Sequence, residues 1–196
     1  METTASVEAA TVQIQRRRFT VDDYYRMLAA GILHEDDHVE LVDGEIREMS
    51  AIDAVHAANV KRLNHLLSLR LAQRFVIGVQ DPIRLNEFNE PEPDLSVLRW
   101  HDDYYEQHHP TPEDTLLVIE VANSSLVYDR REKLPRYAAA GIPQVWLLDL
   151  ASRSLEQYAN PEHGQYQLRK VLHQGMSVEA TTIPELVLTV DQIFGL

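Results

Sequence analysis

Cysteine is absent from this 196-residue chain, which excludes disulfides, thiolate metal ligands and a cysteine nucleophile. Glycine is scarce, with seven scattered copies and no Gly-rich loop of the kind that cradles phosphates. No apolar run approaches the roughly 20 residues that a membrane-spanning helix needs, so no membrane partner is expected. The opening Met1-Glu-Thr-Thr-Ala-Ser-Val-Glu8 has neither a basic n-region nor an apolar h-region. We therefore expect no signal peptide and a cytoplasmic location. Basic residues are outnumbered, 18 Lys and Arg against 31 Asp and Glu, for a net charge of −13. That balance argues against a broad surface that grips nucleic acid by counterion release. It still permits an acidic site offset by a local basic patch, for which Arg16-Arg17-Arg18 and the segment 130–136 are the candidates. Ser124-Ser125 lack the glycine pattern of a nucleophile elbow, so serine hydrolysis is not expected.

With 44% apolar and 25% charged residues, the composition is that of an ordinary globular protein, and the length suits one domain with a sizeable core. Residues 1–15 are polar and aperiodic and read as a flexible arm, leaving 16–196 as a single domain. Thr20 and Asp23 have capping-box spacing and open a helix that runs to Gly31. Asp43-Gly44 is a hairpin turn signal between two short strands within 39–49. A longer helix is predicted from Asp53 to Phe75, with Val60, Leu63, Leu66, Leu67 and Leu71 at helical spacing. Strands are predicted at 76–81, 83–85, 94–98, 116–121 and 145–149. A short helix at 129–140 should stop at Gly141 and Pro143. The tail reads as strands 153–159 and 165–172, one more short strand near Val187, and a helical end. The strand-helix-strand unit 116–149 makes a parallel crossover, and hairpins flank it. The expected fold class is α/β, with a mixed sheet and helices on both faces.

Two carboxylates are out of place in this pattern. Asp94 opens Asp-Leu-Ser-Val-Leu after Pro93, and Glu120 sits in Leu-Leu-Val-Ile-Glu-Val. An ionised carboxylate among aliphatic side chains is costly unless it is paired or bound to metal. Glu120 shares its strand face with Val118 and Ala122, and its strand ends at the loop signal Asn123-Ser124-Ser125. The carboxyl end of such a strand is where open α/β sheets place ligands. An antiparallel neighbour starting at Asp94 would bring the two acids together, where they could share a hard cation such as Mg²⁺.

These residues carry a resemblance. Glu40-Leu-Val-Asp-Gly-Glu45, His56, Asp94, Glu120 and the segment Asp129-Arg-Arg-Glu-Lys-Leu-Pro-Arg-Tyr-Ala-Ala-Ala-Gly-Ile-Pro-Gln-Val-Trp-Leu-Leu-Asp149 resemble the Uma2 family, also called DUF820. That family is placed among the restriction endonuclease-like PD-(D/E)xK nucleases. The likeness runs from about Thr20 to Tyr158. It implies a restriction endonuclease-like core and Mg²⁺-dependent, or Mn²⁺-dependent, hydrolysis of DNA phosphodiesters. Asp94 would match the Asp of the PD half-motif and Glu120 the acidic residue of (D/E)xK, both as metal ligands. Glu40 would match the further acidic residue, completing the shell or accepting a proton. Position 122, where the superfamily's lysine stands, is Ala. Lys133 on the following helix is the lysine available to replace it, positioning the nucleophile or stabilising charge. His56 is a candidate general base or phosphate contact. A homodimer would be in keeping with two-site cutting of a duplex.

Each residue also has a plainer role. Asp94 can bond turn amides, Glu40 can face solvent on a hairpin, Lys133 can belong to a solvated basic face with Arg130, Arg131 and Arg136 or pair with Asp129, and His56 can cap a helix. His101, His108 and His109 share a polar loop with Asp102 and Asp103 but lack the paired spacing of a transition-metal site. The rival to a nuclease is a catalytically inactive domain of the same fold that binds nucleic acid or protein. Retention of both carboxylates favours the enzyme, because two unpaired acids side by side repel.

Overall fold

The structure, a computed structural model, describes residues 16–71 and 73–196; the arm expected over 1–15 lies outside them. Helix α1, Val21–Ala29, starts where expected, with the Thr20 hydroxyl accepting from the Asp23 amide and the Asp23 carboxylate accepting from the Thr20 amide. Strands β1, Val39–Val42, and β2, Glu45–Glu48, form the hairpin around Asp43-Gly44. Both turn residues take positive φ, 55° and 71°, as a two-residue hairpin turn requires. Gly44 has a second reason to be glycine, since a Cβ there would lie 2.6 Å from Arg18 Cβ.

Helix α2 spans Ala54–Leu71 and buries Val60, Leu63, Leu67 and Leu71. It ends earlier than expected. Gln73 turns left-handed at φ 64°, and Phe75 begins strand β3, Phe75–Val79. The aromatic and β-branched run Phe-Val-Ile prefers a pleated surface to a further helical turn. The strand expected at 83–85 is absent. Ile83 and Leu85 are buried, but they bond Pro91 and Asn89 across a tight loop. Pro82, Pro91 and Pro93 lack the N–H groups that a continuous ladder would need.

The main sheet has six strands in the order β3-β4-β5-β6-β7-β8, where β4 is Leu95–Arg99, β5 Thr115–Ala122, β6 Gln144–Asp149, β7 Ser154–Glu162 and β8 Gln165–Leu172. It is mixed as expected: β5 and β6 run parallel and every other pair is antiparallel. Strands β9, Ser177–Ala180, and β10, Ile183–Thr189, form a separate hairpin before the short helix α5, Val190–Phe194. Strand β9 is additional to the single late strand expected, its four residues being too few to show a period in the sequence.

All eight residues of β5 are buried, because both faces of the sheet are covered. On one face, α2, the β9–β10 hairpin and α5 pack on Leu117, Ile119, Val121, Trp146 and Leu148. On the other, Ile83, Leu85, Tyr137 and Ile142 pack on Val118, Ala122, Val145 and Leu147.

The expected helix at 129–140 has three parts. Helix α3, Leu126–Tyr128, leads into a π-helical turn over Asp129–Lys133, followed by α4, Leu134–Ala140, capped by Gly141 at φ 83°. Within the turn the Leu134 amide bonds Asp129 O, five residues back. Pro135 supplies the reason: with no N–H it cannot serve the Arg131 carbonyl, and its ring crowds that turn. Arg136 compensates, its Nη1 donating to Glu132 O at 2.5 Å and reaching Arg131 O at 3.4 Å.

Candidate active site

Strand pairing places the two acids. Leu95 pairs with Ile119, so Asp94 and Glu120 stand one step further along, at adjoining strand ends. Asp94 Oδ2 accepts from the Val121 amide at 2.8 Å, which ties Asp94 to the residue after Glu120. Its Oδ1 pairs with His56 Nε2 at 2.8 Å. His56 is presented by the first turn of α2, where Asp53 caps the amides of Val55 and His56 at 2.8 and 2.9 Å.

Glu40 is carried on β1, which docks beside the loop after β3 through the Glu90 amide bonding Leu41 O at 2.8 Å. It is 3% exposed rather than facing solvent. Its Oε1 accepts from Tyr128 O–H at 2.9 Å and its Oε2 from the Glu92 amide at 3.1 Å. Lys133 is 7% exposed and does not belong to a solvated face. Its Nζ lies 3.2 Å from Glu40 Oε2 and 3.4 Å from Glu120 Oε1, and donates to Glu92 O at 3.1 Å. Glu120, 3% exposed, also accepts from Tyr137 O–H at 2.7 Å. The structure thus joins Glu40, Glu120 and Lys133 directly and sets the Asp94–His56 pair alongside.

Ala122, where a motif lysine would project, is 0% exposed and packs in the core with Val118 and Tyr137. The π-helical turn brings the ammonium of Lys133 to the carboxylates from the helix that covers this same sheet face. Sequence reading did not single out Tyr128, Tyr137 or Glu92 as neighbours of this site. Tyr137 follows Lys133 at i,i+4, a usable signal; the place of Tyr128 depends on the π-helical turn and left none.

Charge is unevenly balanced here. Glu40, Glu92, Asp94, Glu120 and Asp129 face one ammonium, Lys133, and one imidazole, His56. Burial pushes Glu120 up to about 8; Lys133 and the Tyr137 hydrogen bond pull it down, and the charges of Asp129 and Asp94 add to the rise. Burial likewise lifts Glu92 to about 7, with Glu40 next to it, and Asp129 to about 6. Burial alone would lower the Lys133 pKa, but Glu120, Glu40, Asp129 and Asp94 outweigh it and hold Lys133 well above the usual lysine range. These neighbours favour the charged ammonium over the neutral amine, which suits charge stabilisation rather than proton abstraction. The hydrogen bond to the Asp94 carboxylate raises His56 against the effect of burial.

Among the described residues no three His, Asp or Glu side chains stand together as a ready-made metal group. Lys133 stands between Glu40 and Glu120, and His56 pairs with Asp94. The donor chemistry nonetheless fits a hard divalent cation: the acids are all oxygen donors and exceed the positive charge available to them. The two expected basic patches are largely engaged elsewhere. Arg16 pairs with Glu45 at 2.9 Å, Arg130 and Arg169 with Glu156, and Arg136 with Asp43 and Glu132. In the polar loop, His101 pairs with Asp103 and His109 stacks on Tyr25.

A mixed sheet flanked by helices, with acids on adjoining strand ends and a lysine from the next helix, has the architecture of a nuclease-like α+β fold. A crystal structure described as that of "a putative nuclease belonging to DUF820" from Anabaena variabilis shares this fold. It superposes with a TM-score of 0.70 at 16% identity, covering 90% of this chain and 98% of the other. The chain belongs to the Uma2 family, described as "Putative restriction endonuclease", which matches residues 21–191. No curated protein matches it. No described helix is long and apolar enough to cross a membrane.

Proposed function

We propose that this protein is a divalent-metal-dependent endonuclease that hydrolyses DNA phosphodiesters. The observation that carries this reading is the meeting of Glu40, Glu120 and Lys133, from three separate elements, in one buried pocket beside Asp94 and His56. Asp94, Glu120 and Glu40 would hold Mg²⁺, or Mn²⁺ in its place. When bound, such an ion activates water and neutralises charge on the scissile phosphate. Lys133, its charged form favoured by the acids around it, would stabilise the negative charge that develops on the phosphate oxygens. His56, held by Asp94, is placed to accept or return a proton at Nε2 once that contact is exchanged. Two copies of the chain on a twofold axis would serve the two strands of a duplex.

The test is nicking of supercoiled plasmid by wild type, Asp94→Ala and Glu120→Ala, with Mg²⁺ or Mn²⁺ and with chelator. Only wild type with metal should cut, and equal activity in the variants would sink the assignment. The engaged arginine clusters and Ala122 favour a second reading, an inactive nucleic-acid-binding or protein-interaction module. Duplex binding by a wild type that never cleaves would select it.

A further inference from the structure

The segment that carries Lys133 also carries two phenols, and each donates to one of the glutamates that Lys133 joins. Tyr137 reaches Glu120 Oε1 at 2.7 Å and Tyr128 reaches Glu40 Oε1 at 2.9 Å. Tyr137 is 0% exposed, so no bulk water competes for its bond. Lys133 and Tyr137 share a helical face by their i,i+4 spacing. Tyr128 and Lys133 are five apart and would diverge on a regular α-helix. The turn closed by Leu134 N–H to Asp129 O brings them to the same side. One irregular helix therefore delivers a cation and two neutral donors to a single pair of acids.

A hydroxyl differs from a second ammonium in a way that matters here. It orients a carboxylate without adding positive charge that would repel an incoming cation. On Glu120 the Tyr137 hydroxyl donates to Oε1 and the Lys133 ammonium lies nearest the same oxygen, and among the described residues no donor meets Oε2. We propose that Tyr137 and Tyr128 are positioning residues, each fixing the rotamer of one glutamate so that Glu120 Oε2 is presented beside Asp94 to a divalent cation. This rests on the metal-dependent reading above. It assigns the orienting work that a metal site draws from its outer shell to an element that also supplies the displaced lysine.

The test is calorimetric titration of the full chain with Mn²⁺, using wild type, Tyr137→Phe, Tyr128→Phe and Tyr166→Phe. Tyr166 is the control. It donates to Ile142 O at 2.8 Å on the same side of the sheet, so its phenylalanine variant loses a comparable phenol bond away from the glutamates. Tyr137→Phe should weaken Mn²⁺ binding about 10- to 100-fold. Tyr128→Phe should weaken it as well, and Tyr166→Phe should leave it at the wild-type value. In cleavage assays the two site variants should lower kcat while KM for an oligonucleotide holds. Circular dichroism checks folding, and if Tyr137→Phe does not fold, Tyr128→Phe carries the test. Mn²⁺ binding as tight in the site variants as in wild type would overturn the inference and leave the metal-dependent reading standing. Equal weakening by Tyr166→Phe would reduce the effect to general stability and overturn it too. A wild type that binds no Mn²⁺ would remove both.

Discussion

Replacing Lys133 with methionine nearly keeps the volume and removes the charge together with the hydrogen bond to Glu92 O. The ammonium lies 3.2 Å from Glu40 and 3.4 Å from Glu120, with all three side chains under 10% exposed. Removing one partner of a buried ion pair leaves uncompensated charge, which typically costs about 3–5 kcal/mol. For a chain of this size that corresponds to a fall in Tm of roughly 6–20 °C. The loss should depend on pH. Without Lys133 the Glu120 carboxyl, which burial already lifts to about 8, is pushed further up and keeps its proton to a higher pH in the folded state. Below about pH 8 wild type and variant hold that proton alike, and above it only the variant does, so the deficit is larger at pH ~9.5 than at pH ~7. Urea unfolding at both pH values, followed by the emission of Trp146 (0% exposed), measures this directly. A deficit under about 1 kcal/mol, equal at the two pH values, would mean that Lys133 is an ordinary surface-type pair worth little. The account of the site as a buried, charged cluster would then be refuted.

Two further tests address its surroundings. Glu92 is lifted to about 7 from 4.5, first by burial and then by Glu40. Between those values the folded chain keeps a proton that the unfolded chain has lost, so stability declines as pH rises through that window. A shift of this size corresponds to at most about 3 kcal/mol; the side chain is half-buried, and about 1 kcal/mol is expected. Glu92→Gln should therefore match wild type near pH ~4 and exceed it by about 1 kcal/mol near pH ~8 in metal-free buffer. No gain at the higher pH would contradict the placement of Glu92 beside Glu40. Gly78 lies against Ser96, where a Cβ would come within 2.4 Å of Oγ. Gly78→Ala should cost about 1–3 kcal/mol by thermal unfolding, and adding Ser96→Ala should recover most of it.

Much of this molecule was legible in its chain. Capping residues at Thr20 and Asp23, Asp43-Gly44 at the hairpin, and apolar periodicity in α2 act over a few residues, so their outcome is local and readable. Glu120 and Asp94 stood out because a charge inside an apolar strand requires a compensating partner, and that holds before any fold is known. Proline made two segments harder to read. It turned the expected strand at 83–85 into a buried loop and split the expected helix at 129–140 around a π-helical turn. In both cases the missing N–H changes which distant carbonyls are left to be satisfied, and the solution involves groups such as Arg136 that no local window contains.

The sequence by itself determined the kinds of element, their order, and the residue types that demand a partner. Only the tertiary structure decided the partners. Tyr128 is 88 positions from Glu40, and Lys133 comes from a helix whose register is shifted by five-residue hydrogen bonding. Burial then sets how strongly these groups act on one another, because it strips away the water that would otherwise screen them. That desolvation exists only once the sheet and both of its covering layers are assembled.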